Sequence, residues 1–435
     1  MTYAIQKEVG FELNRLYSED LPVHEWYRFI LSFPPHLVRN YIEKFNLSED
    51  SIVLDPFCGT GTTLVECKKN GITSIGLEAN PVVHFAATVK TSWNVDFESL
   101  RNHAEKIAEF AFEELAHENI SDVPFELQNN GNKVLRKLSE EKQKLIIKNS
   151  ISPLPLHKSL ILIEKIDKFS CDKFTPYEFL ALAKELVFSI SNLKFGPEVG
   201  VGKQKEDSEV VGVWKRAIDS MAGDLEVVQS KKNVPSIVHL ADSRKISDVI
   251  APQKKIDAVI TSPPYPNEKD YSRTTRLESV LLGFIKEKSD LQNHKKSLLR
   301  SNTRGIYKSD DDEKWISQNN RVHQLAKEIE EKRIILNKTS GFEKLYHRVV
   351  LLYFGGIARH LEDLKNYLKP GAKLAYVVGD QASYLQIMIR TGEIIAEIAE
   401  QCGYEATGID LFRTRFSTAT GQNLREEVVL LKWNG

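Results

Sequence analysis

Short apolar runs that end at turn-forming residues recur along this chain and predict the strands of a sheet. Five such runs lie at residues 51–54, 73–77, 236–240, 256–260 and 372–378. Two further β-rich runs, at 404–412 and 427–433, are separated by a polar loop at 413–425. That spacing predicts an antiparallel hairpin near the end of the sequence.

Apolar residues three and four positions apart predict helices between these strands. The predicted helices lie at residues 37–45, 82–91, 100–117, 134–149, 176–193, 345–368 and 384–401. Strands that alternate with helices indicate an α/β fold. We therefore predict a doubly wound, mostly parallel seven-stranded sheet with an antiparallel C-terminal hairpin.

Two long segments between the predicted strands lack convincing strands of their own. We predict a helical insertion at residues 97–230 and a second, charged helical insertion at residues 267–342. The catalytic, sheet-containing domain is then built from residues 1–96, 231–266 and 343–435.

The sequence DPFCGTGTT at residues 55–63 follows one predicted strand and precedes a helix. Gly59 and Gly61 allow a tight turn and a close approach to a ligand, as in nucleotide-binding units. Leu64 stands where a dinucleotide site has its third glycine, and no Gly-Lys-Ser/Thr follows, so NAD binding and a P-loop are disfavoured. Glu78 ends the next strand, where an acidic side chain suits a ribose diol.

The sequence TSPPY at residues 261–265 follows another predicted strand. Two consecutive prolines end the strand abruptly and hold a serine, two carbonyl groups and an aromatic ring rigidly. They lie at the carboxyl edge of the sheet, where open α/β sheets bind ligands. A proline-stiffened loop without function is the plain alternative, and the glycine motif upstream makes it the less favoured one.

Together the two motifs resemble the S-adenosylmethionine-dependent amino-methyltransferases of DNA. Serine before Pro-Pro-Tyr is typical of the cytosine-N4 enzymes in that family, whereas adenine-N6 enzymes usually carry Asp or Asn there. The resemblance covers about residues 20–90, 235–280 and 343–433. It implies a Rossmann-like methyltransferase sheet with S-adenosylmethionine as cofactor. Because this methyl donor is already activated, no metal is expected.

The resemblance also implies roles for individual residues. The Ser262 hydroxyl and the Pro263 carbonyl would accept protons of the target amine, in a turn completed by Pro264. Tyr265 would stack on a base flipped out of the duplex. The implied cofactor-binding residues are Phe33, Pro34, Asp55, Pro56, Phe57, Gly59, Gly61, Thr62, Thr63, Glu78, Asp242 and Ser243. Asp242 and Ser243 also fit an ordinary turn or helix cap.

The two insertions contain the candidate contacts to nucleic acid. Basic segments at residues 130–148 and 286–304 indicate either a phosphate-binding face or a solvated helix surface, which we favour for either segment alone. The glycine-rich loop at 195–202 indicates either mobility, which we favour, or close approach to a ligand. The candidate nucleic-acid contacts are Asn267, Tyr271, Arg273, Lys295, Lys296, Arg300, Arg415 and Phe416.

The composition is that of an ordinary globular protein, and the near-neutral net charge does not by itself indicate a nucleic-acid binder. The chain has 435 residues, 41% hydrophobic and 27% charged, with a formal net charge of −1. No apolar run approaches the ~20 residues of a membrane span, and the N-terminus lacks a signal-peptide core. The four cysteines form no C-x-x-C pair, so neither a zinc site nor disulfides are predicted, and the cytoplasm is the expected location.

The leading hypothesis is a site-specific DNA methyltransferase that acts on cytosine N4 in a restriction-modification or phage-defence system, with a cognate nuclease as a possible partner. Many serine-type enzymes carry the two motifs in the reverse order. Here the insertions are the candidates for target recognition, and the identity of the base stays open. Adenine-N6 methylation and RNA base methylation are the alternatives among enzymes. A catalytically silent nucleic-acid-binding subunit is the alternative of a different class.

Overall fold

The computed structural model describes residues 16–28, 32–124, 134–196, 198–251, 255–417 and 420–435. Parts of three predicted segments, residues 130–133, 197 and 418–419, therefore lie outside the described residues. The strands in chain order are β1 Ile52–Asp55, β2 Thr73–Glu78, β3 Leu193–Phe195, β4 Val199–Val201, β5 Ser236–Leu240, β6 Ile256–Thr261, β7 Leu368–Gly379, β8 Glu405–Ser417 and β9 Gln422–Lys432.

Seven of these strands form one sheet in the order β5-β2-β1-β6-β7-β9-β8. Strands β5, β2, β1, β6 and β7 run parallel, whereas β9 pairs antiparallel with both β7 and β8. The predicted fold class is confirmed. From β1 the chain proceeds to β2 and β5 on one side and returns to β6 on the other. This reversal leaves a crevice at the carboxyl ends of β1 and β6, where open α/β sheets bind ligands.

Helices cover both faces of the sheet and form the insertions. They are α1 Leu21–His24, α2 Pro35–Lys44, α3 Thr62–Lys69, α4 Pro81–Thr91, α5 Phe97–His117, α6 Glu140–Leu145, α7 Pro153–Lys168, α8 Thr175–Glu185, α9 Val211–Val228, α10 Tyr271–Thr274, α11 Arg276–Leu281, α12 Lys288–Ser297, α13 Asn320–Ile335, α14 Tyr346–Leu364 and α15 Thr391–Gln401. None of the helices in the described part of the chain is long and apolar enough to cross a membrane.

The apolar core has three large parts. One face of the sheet packs on α14 and α15 through buried residues such as Tyr353 and Leu361, and the other packs on α2 around Val38. The first insertion has its own core, in which Trp214 of α9 belongs to the same cluster as Trp93, just beyond α4. This shared core attaches the insertion to the sheet-containing part and gives the site a fixed wall.

Several predicted elements were wrong in detail. The first insertion contains the two-stranded sheet β3–β4, whose three-residue strands are too short for a clear alternating pattern. Only α6 of the predicted helix 134–149 forms, and the Arg136 amide donates to His157 Nδ1 at 2.9 Å rather than to a helical carbonyl. The predicted helix at 384–401 begins only at Thr391, since Leu385 and Gln386 have φ of 54° and 62°.

The predicted polar loop at 413–425 was also wrong. Strand β8 extends to Ser417 and β9 begins at Gln422, so most of this segment is a hairpin ladder. Arg413 lies directly opposite Glu426, and this oppositely charged pair continues the ladder beyond its apolar part. The residues predicted to lie in a loop are therefore held on a strand.

Candidate active site

A cavity of about 660 Å³ opens at the carboxyl edge of the sheet, beside the reversal in strand order. Both sequence motifs line it. The predicted site residues in its wall are Phe33, Pro56, Phe57, Gly59, Thr62, Glu78, Ser243, Ser262, Pro263, Pro264, Tyr265, Asn267, Tyr271 and Arg415. The structure therefore brings the two motifs into one site.

The glycine loop between β1 and α3 turns tightly into the helix. Gly59 and Gly61 have φ of +51° and +84°, a region that residues with a side chain rarely occupy. The Gly61 amide donates to the Cys58 carbonyl at 2.8 Å and so closes the turn. A side chain at Gly59 would meet no atom within 4 Å, because this backbone faces the open cavity.

Glu78 joins the end of β2 to the glycine loop. Its Oε2 accepts a hydrogen bond from the Gly59 amide at 3.0 Å, and its Oε1 accepts one from the Asn80 amide at 2.7 Å. Burial raises the pKa of this carboxyl to about 7. Glu78 therefore presents a carboxyl to the cavity whose charge changes near neutral pH.

The TSPPY turn forms the opposite wall. The Ser262 hydroxyl donates to the Val377 carbonyl at 3.0 Å, so its oxygen keeps its capacity to accept. A Cβ at Gly379 would meet Tyr265 Cε2 at 3.1 Å and Glu426 Cγ at 3.4 Å, and this glycine thus lets the two side chains lie side by side. Burial and the nearby Glu426 carboxylate raise the pKa of Tyr265 well above its usual range, so its phenol stays neutral.

Comparison with known proteins adds to this geometry. A family profile of N6/N4 methyltransferases, described as DNA methylase, matches residues 13–88, a span that contains the glycine motif and Glu78. The chain is 23% identical to the type II methyltransferase M.BsoBI of Geobacillus stearothermophilus, over 96% of this chain and 84% of that protein. It is also 23% identical to M.AvaI of a Nostoc strain, over 93% and 83% of the two chains.

The chain is similar to DNA methyltransferases of the N6/N4 family. A third relative, M.MjaII of Methanocaldococcus jannaschii, is 35% identical over 94 residues, or 20% of this chain and 17% of that protein. The solved structure of TrmN from Thermus thermophilus aligns with a TM-score of 0.30 and 9% identity, over 95% of this chain and 53% of that one. A similarity that low carries no argument about fold or function.

Enzymes of this family use S-adenosylmethionine, and the cavity of this methyltransferase fits that donor. When bound, it supplies a methyl group on a positively charged sulfur. Asn80 lines the cavity and is 3% exposed, and within the described residues its Oδ1 has no hydrogen-bond partner. Such a buried acceptor needs a donor, which an adenine amine or a ribose hydroxyl can provide. Glu78 and the open backbone of Gly59 complete the set of groups that would hold the donor.

The pKa of Glu78 predicts how cofactor affinity changes with pH. Ribose hydroxyls donate to the ionised carboxylate, so binding lowers the pKa and releases a proton. The affinity for S-adenosylmethionine should therefore be highest above pH 7 and fall as pH drops below 7, by up to about tenfold per pH unit. Isothermal titration calorimetry between pH 5.5 and 8.5 measures this.

Two substitutions assign that pH dependence to one carboxyl. Glu78→Gln should weaken binding at pH 8 and remove most of the dependence. Glu427→Gln is the matched control, because burial also raises the pKa of Glu427 to about 7 but its side chain does not line the cavity. A dependence that survives Glu78→Gln would contradict the role of Glu78.

The structure places Asp55 behind the cavity wall rather than in it. Its Oδ1 accepts from the Thr261 hydroxyl at 2.6 Å and from the Phe57 amide at 3.1 Å, and burial raises its pKa to about 6. Asp55 therefore joins the glycine loop to the strand before Ser262. Three other predicted cofactor residues, Pro34, Gly61 and Thr63, also lie outside the lining. Thr63 donates its hydroxyl to the Ile260 carbonyl at 3.1 Å and supports the same junction.

Asp242 is not among the residues that line the cavity, and its contact with adenine stays a prediction. Its carboxylate pairs with Arg244, whose Nε and Nη2 lie 2.9 and 2.7 Å from Oδ1 and Oδ2. Arg244 is buried and also pairs with Asp312 of the second insertion. Asp242 therefore anchors an insertion to the sheet, whereas its neighbour Ser243 faces the cavity.

Two of the five predicted basic contacts to nucleic acid form ion pairs inside the protein. Lys295 pairs with Asp270 at 2.9 Å. Arg300 is 4% exposed, and its Nε and Nη2 donate to Asp310 at 2.9 Å each. Arg273 and Phe416 lie outside the cavity lining, and Phe416 is 64% exposed. Lys296 is exposed on α12 and lies 5.6 Å from the centre of the Tyr307 ring.

Several residues that line the cavity were missed in the sequence. Gly196 and Glu198 belong to the glycine-rich loop and line the cavity. Lys269, Arg413 and Glu426 also line the cavity. The opposite charges of Arg413 and Glu426 were the available signal, but the register of the hairpin is needed to pair them.

Proposed function

We propose that this protein is a site-specific methyltransferase that transfers a methyl group to the N4 amine of a flipped-out cytosine in DNA. The observation that carries the proposal is Ser262, at the head of the Pro-Pro-Tyr turn. Its hydroxyl proton is directed to the Val377 carbonyl, so its oxygen is left to accept from an amine in the cavity. A serine there is typical of cytosine-N4 enzymes.

The chemistry follows from the weakness of the nucleophile. The lone pair of an exocyclic amine is delocalised into the ring, and acceptors for its protons draw the nitrogen toward tetrahedral geometry. The Ser262 oxygen and the Pro263 carbonyl take that role, since fixed acceptors need no reorganisation during the reaction. Tyr265 stacks on the base and holds it at attack distance. As the N–C bond forms, the bond between the methyl carbon and the donor sulfur would break to leave a neutral thioether, and one amine proton would pass by way of the Ser262 and Pro263 oxygens to solvent.

Two alternatives among enzymes use the same cavity. The turn also suits adenine N6, whose amine has the same need for acceptors, and an RNA base presents the same group. A catalytically silent subunit would have no need for both motifs to line one cavity, or for an acceptor at Asn80 that no described residue satisfies. That arrangement favours an enzyme.

We further propose that both insertions take part in binding the DNA target. Gly196 and Glu198 of the insertion at residues 97–230 line the cavity, as do Leu298 and Asn302 of the insertion at residues 267–342. Glu198 pairs with Arg304 at 3.6 Å, so the two insertions meet beside the site. The sheet-containing parts at residues 1–96, 231–266 and 343–435 provide the remaining walls.

The biological setting is proposed from the relatives alone. Two relatives that align along most of their length are named type II methyltransferases. We propose that this protein modifies DNA in the cytoplasm as part of a restriction-modification or phage-defence system, with a cognate nuclease as its partner.

Expression in a bacterial host that lacks its own DNA methylation tests this function. Single-molecule sequencing of the host DNA should find N4-methylcytosine at one fixed sequence. The Ser262→Ala variant, expressed to the same level, should leave the DNA unmodified. N6-methyladenine at a fixed sequence would contradict the assignment of cytosine as the target base. Modification found only in RNA would contradict the assignment of DNA as the substrate.

Alanine substitutions at Lys296 and Arg300 should have different effects, the first on DNA binding and the second on stability. Lys296 is exposed, so Lys296→Ala should weaken DNA binding and reduce the slope of log affinity against log salt by about 0.9. Arg300→Ala removes one partner of a buried ion pair and should lower the free energy of unfolding by about 3–5 kcal/mol. Fluorescence anisotropy at several salt concentrations and urea unfolding measure the two effects. An unchanged salt slope for Lys296→Ala would indicate that α12 is a solvated surface that does not contact DNA phosphates.

A further inference from the structure

Arg413 and Glu426 form an ion pair in the wall of the cavity, next to the catalytic turn. They lie directly opposite each other on β8 and β9. Arg413 Nε and Nη2 donate to the two carboxylate oxygens at 2.5 and 2.8 Å, a forked geometry that fixes the guanidinium plane. Because Glu426 and Tyr265 both pack against Gly379, this plane is held beside the stacking ring.

The fork uses one edge of the guanidinium and leaves the other edge available. Arg413 Nη1 has no hydrogen-bond partner in the part of the chain that the structure describes. The charge of the guanidinium is nevertheless neutralised by Glu426. A cavity that must also hold a sulfonium thus gains a directed donor without gaining a net positive charge.

The two candidate bases differ on the edge beyond the reacting amine. Next to its N4 amine, cytosine has two acceptors, N3 and O2. Adenine has one acceptor, N1, followed by a carbon-bound hydrogen. A donor that reaches the far end of this edge therefore forms a hydrogen bond with cytosine that adenine cannot form.

We propose that Arg413, held by Glu426, is the residue that selects cytosine over adenine, through a hydrogen bond from its Nη1 to the O2 edge of the flipped base. This inference rests on the proposed cytosine-N4 function and names the donor within that site. Arg413 does not take part in methyl transfer itself.

Other donors in the wall suit this role less well. Burial lowers the pKa of Lys269, and its ammonium carries no fixed plane. Gln381 donates its Nε2 to the Gly379 carbonyl at 3.2 Å. Arg415 is exposed on β8, where it suits a phosphate better than a buried base edge.

The test compares two duplexes that differ at one base. Sequencing of DNA modified by the wild-type protein gives the target position, and duplexes with cytosine or adenine at that position are then methylated under kcat/KM conditions. Arg413→Ala should lower the cytosine-to-adenine ratio of kcat/KM by about 10- to 100-fold, with S-adenosylmethionine affinity unchanged. Arg413→Lys keeps the charge but loses the fork, and should lower the ratio nearly as much.

Lys44→Ala is the matched control, because Lys44 forms an exposed ion pair with Asp410, which lies on the same strand as Arg413, and neither residue lines the cavity. This variant should leave the ratio unchanged. Equal losses with both bases in Arg413→Ala, or full recovery in Arg413→Lys, would overturn the selection of cytosine by Arg413. A wild-type protein that prefers adenine would instead overturn the cytosine-N4 function, and the two failures are therefore distinguishable.

If Arg413→Ala does not fold, Glu426→Gln, which loosens the fork, should lower the ratio in the same direction, and an unchanged ratio would count against the proposal.

Discussion

Replacing Ser262 and Tyr265 together with alanine is expected to abolish methyl transfer while leaving the affinity for S-adenosylmethionine within about threefold of wild type. Loss of one fixed acceptor typically lowers turnover by about 10²–10³-fold. Loss of base stacking removes a further ~1–3 kcal/mol of binding. We therefore expect a reduction of at least roughly 10³-fold, measured by transfer of a radiolabelled methyl group to DNA.

Two matched variants separate chemistry from folding in that experiment. Tyr265→Phe keeps the stacking ring and should retain most activity, because the Tyr265 phenol stays neutral. Ser48→Ala removes a hydroxyl from an exposed turn outside the cavity lining and should behave as wild type. If cofactor affinity collapses in the Ser262 and Tyr265 double variant, the division of the cavity into a cofactor side and a base side is wrong.

The second large effect is expected from Asp55→Ala, although Asp55 does not line the cavity. Its carboxylate accepts from the Thr261 hydroxyl and the Phe57 amide, and it thereby fixes the distance between the two motifs. Leaving two buried donors unpaired costs about 1–3 kcal/mol each. Cofactor affinity and turnover should both fall by at least about tenfold, since each depends on one of the joined loops. Calorimetry and single-turnover rates measure the two losses.

Asp257 provides the matched control for Asp55. It too joins β1 to β6, accepting from the Ile52 amide at 2.9 Å and pairing with Lys369 at 2.7 Å, but it lies at the amino end of β6. Asp257→Ala should lower the free energy of unfolding yet leave cofactor affinity and turnover unchanged. Equal losses of activity in the two variants would mean that Asp55 acts only through stability.

The fold could be predicted because its signals are local. Short apolar strands, the glycine turn and the Pro-Pro turn each depend on neighbours in sequence, and the family resemblance reinforced them. The same locality explains why the two motifs were expected at one edge of the sheet. In parallel sheets, that edge is fixed by strand direction alone.

The partners of polar side chains could not be predicted in the same way. Asp242 resembled a ligand-binding residue, but Arg244, two positions later, takes its carboxylate. Arg300 lies in a basic run, yet folding places Asp310 against it and buries both. The roles of Arg413 and Glu426 depend on a hairpin register, which a one-residue shift would change.

The measurement that tests the central claim most directly uses purified protein, duplex DNA and S-adenosylmethionine with a trideuterated methyl group. Mass spectrometry of the digested nucleosides then identifies the product. We predict trideuterated N4-methylcytosine, absent with the Ser262→Ala and Tyr265→Ala double variant. Trideuterated N6-methyladenine as the main product, or no labelled nucleoside from protein that binds the cofactor, would contradict the account.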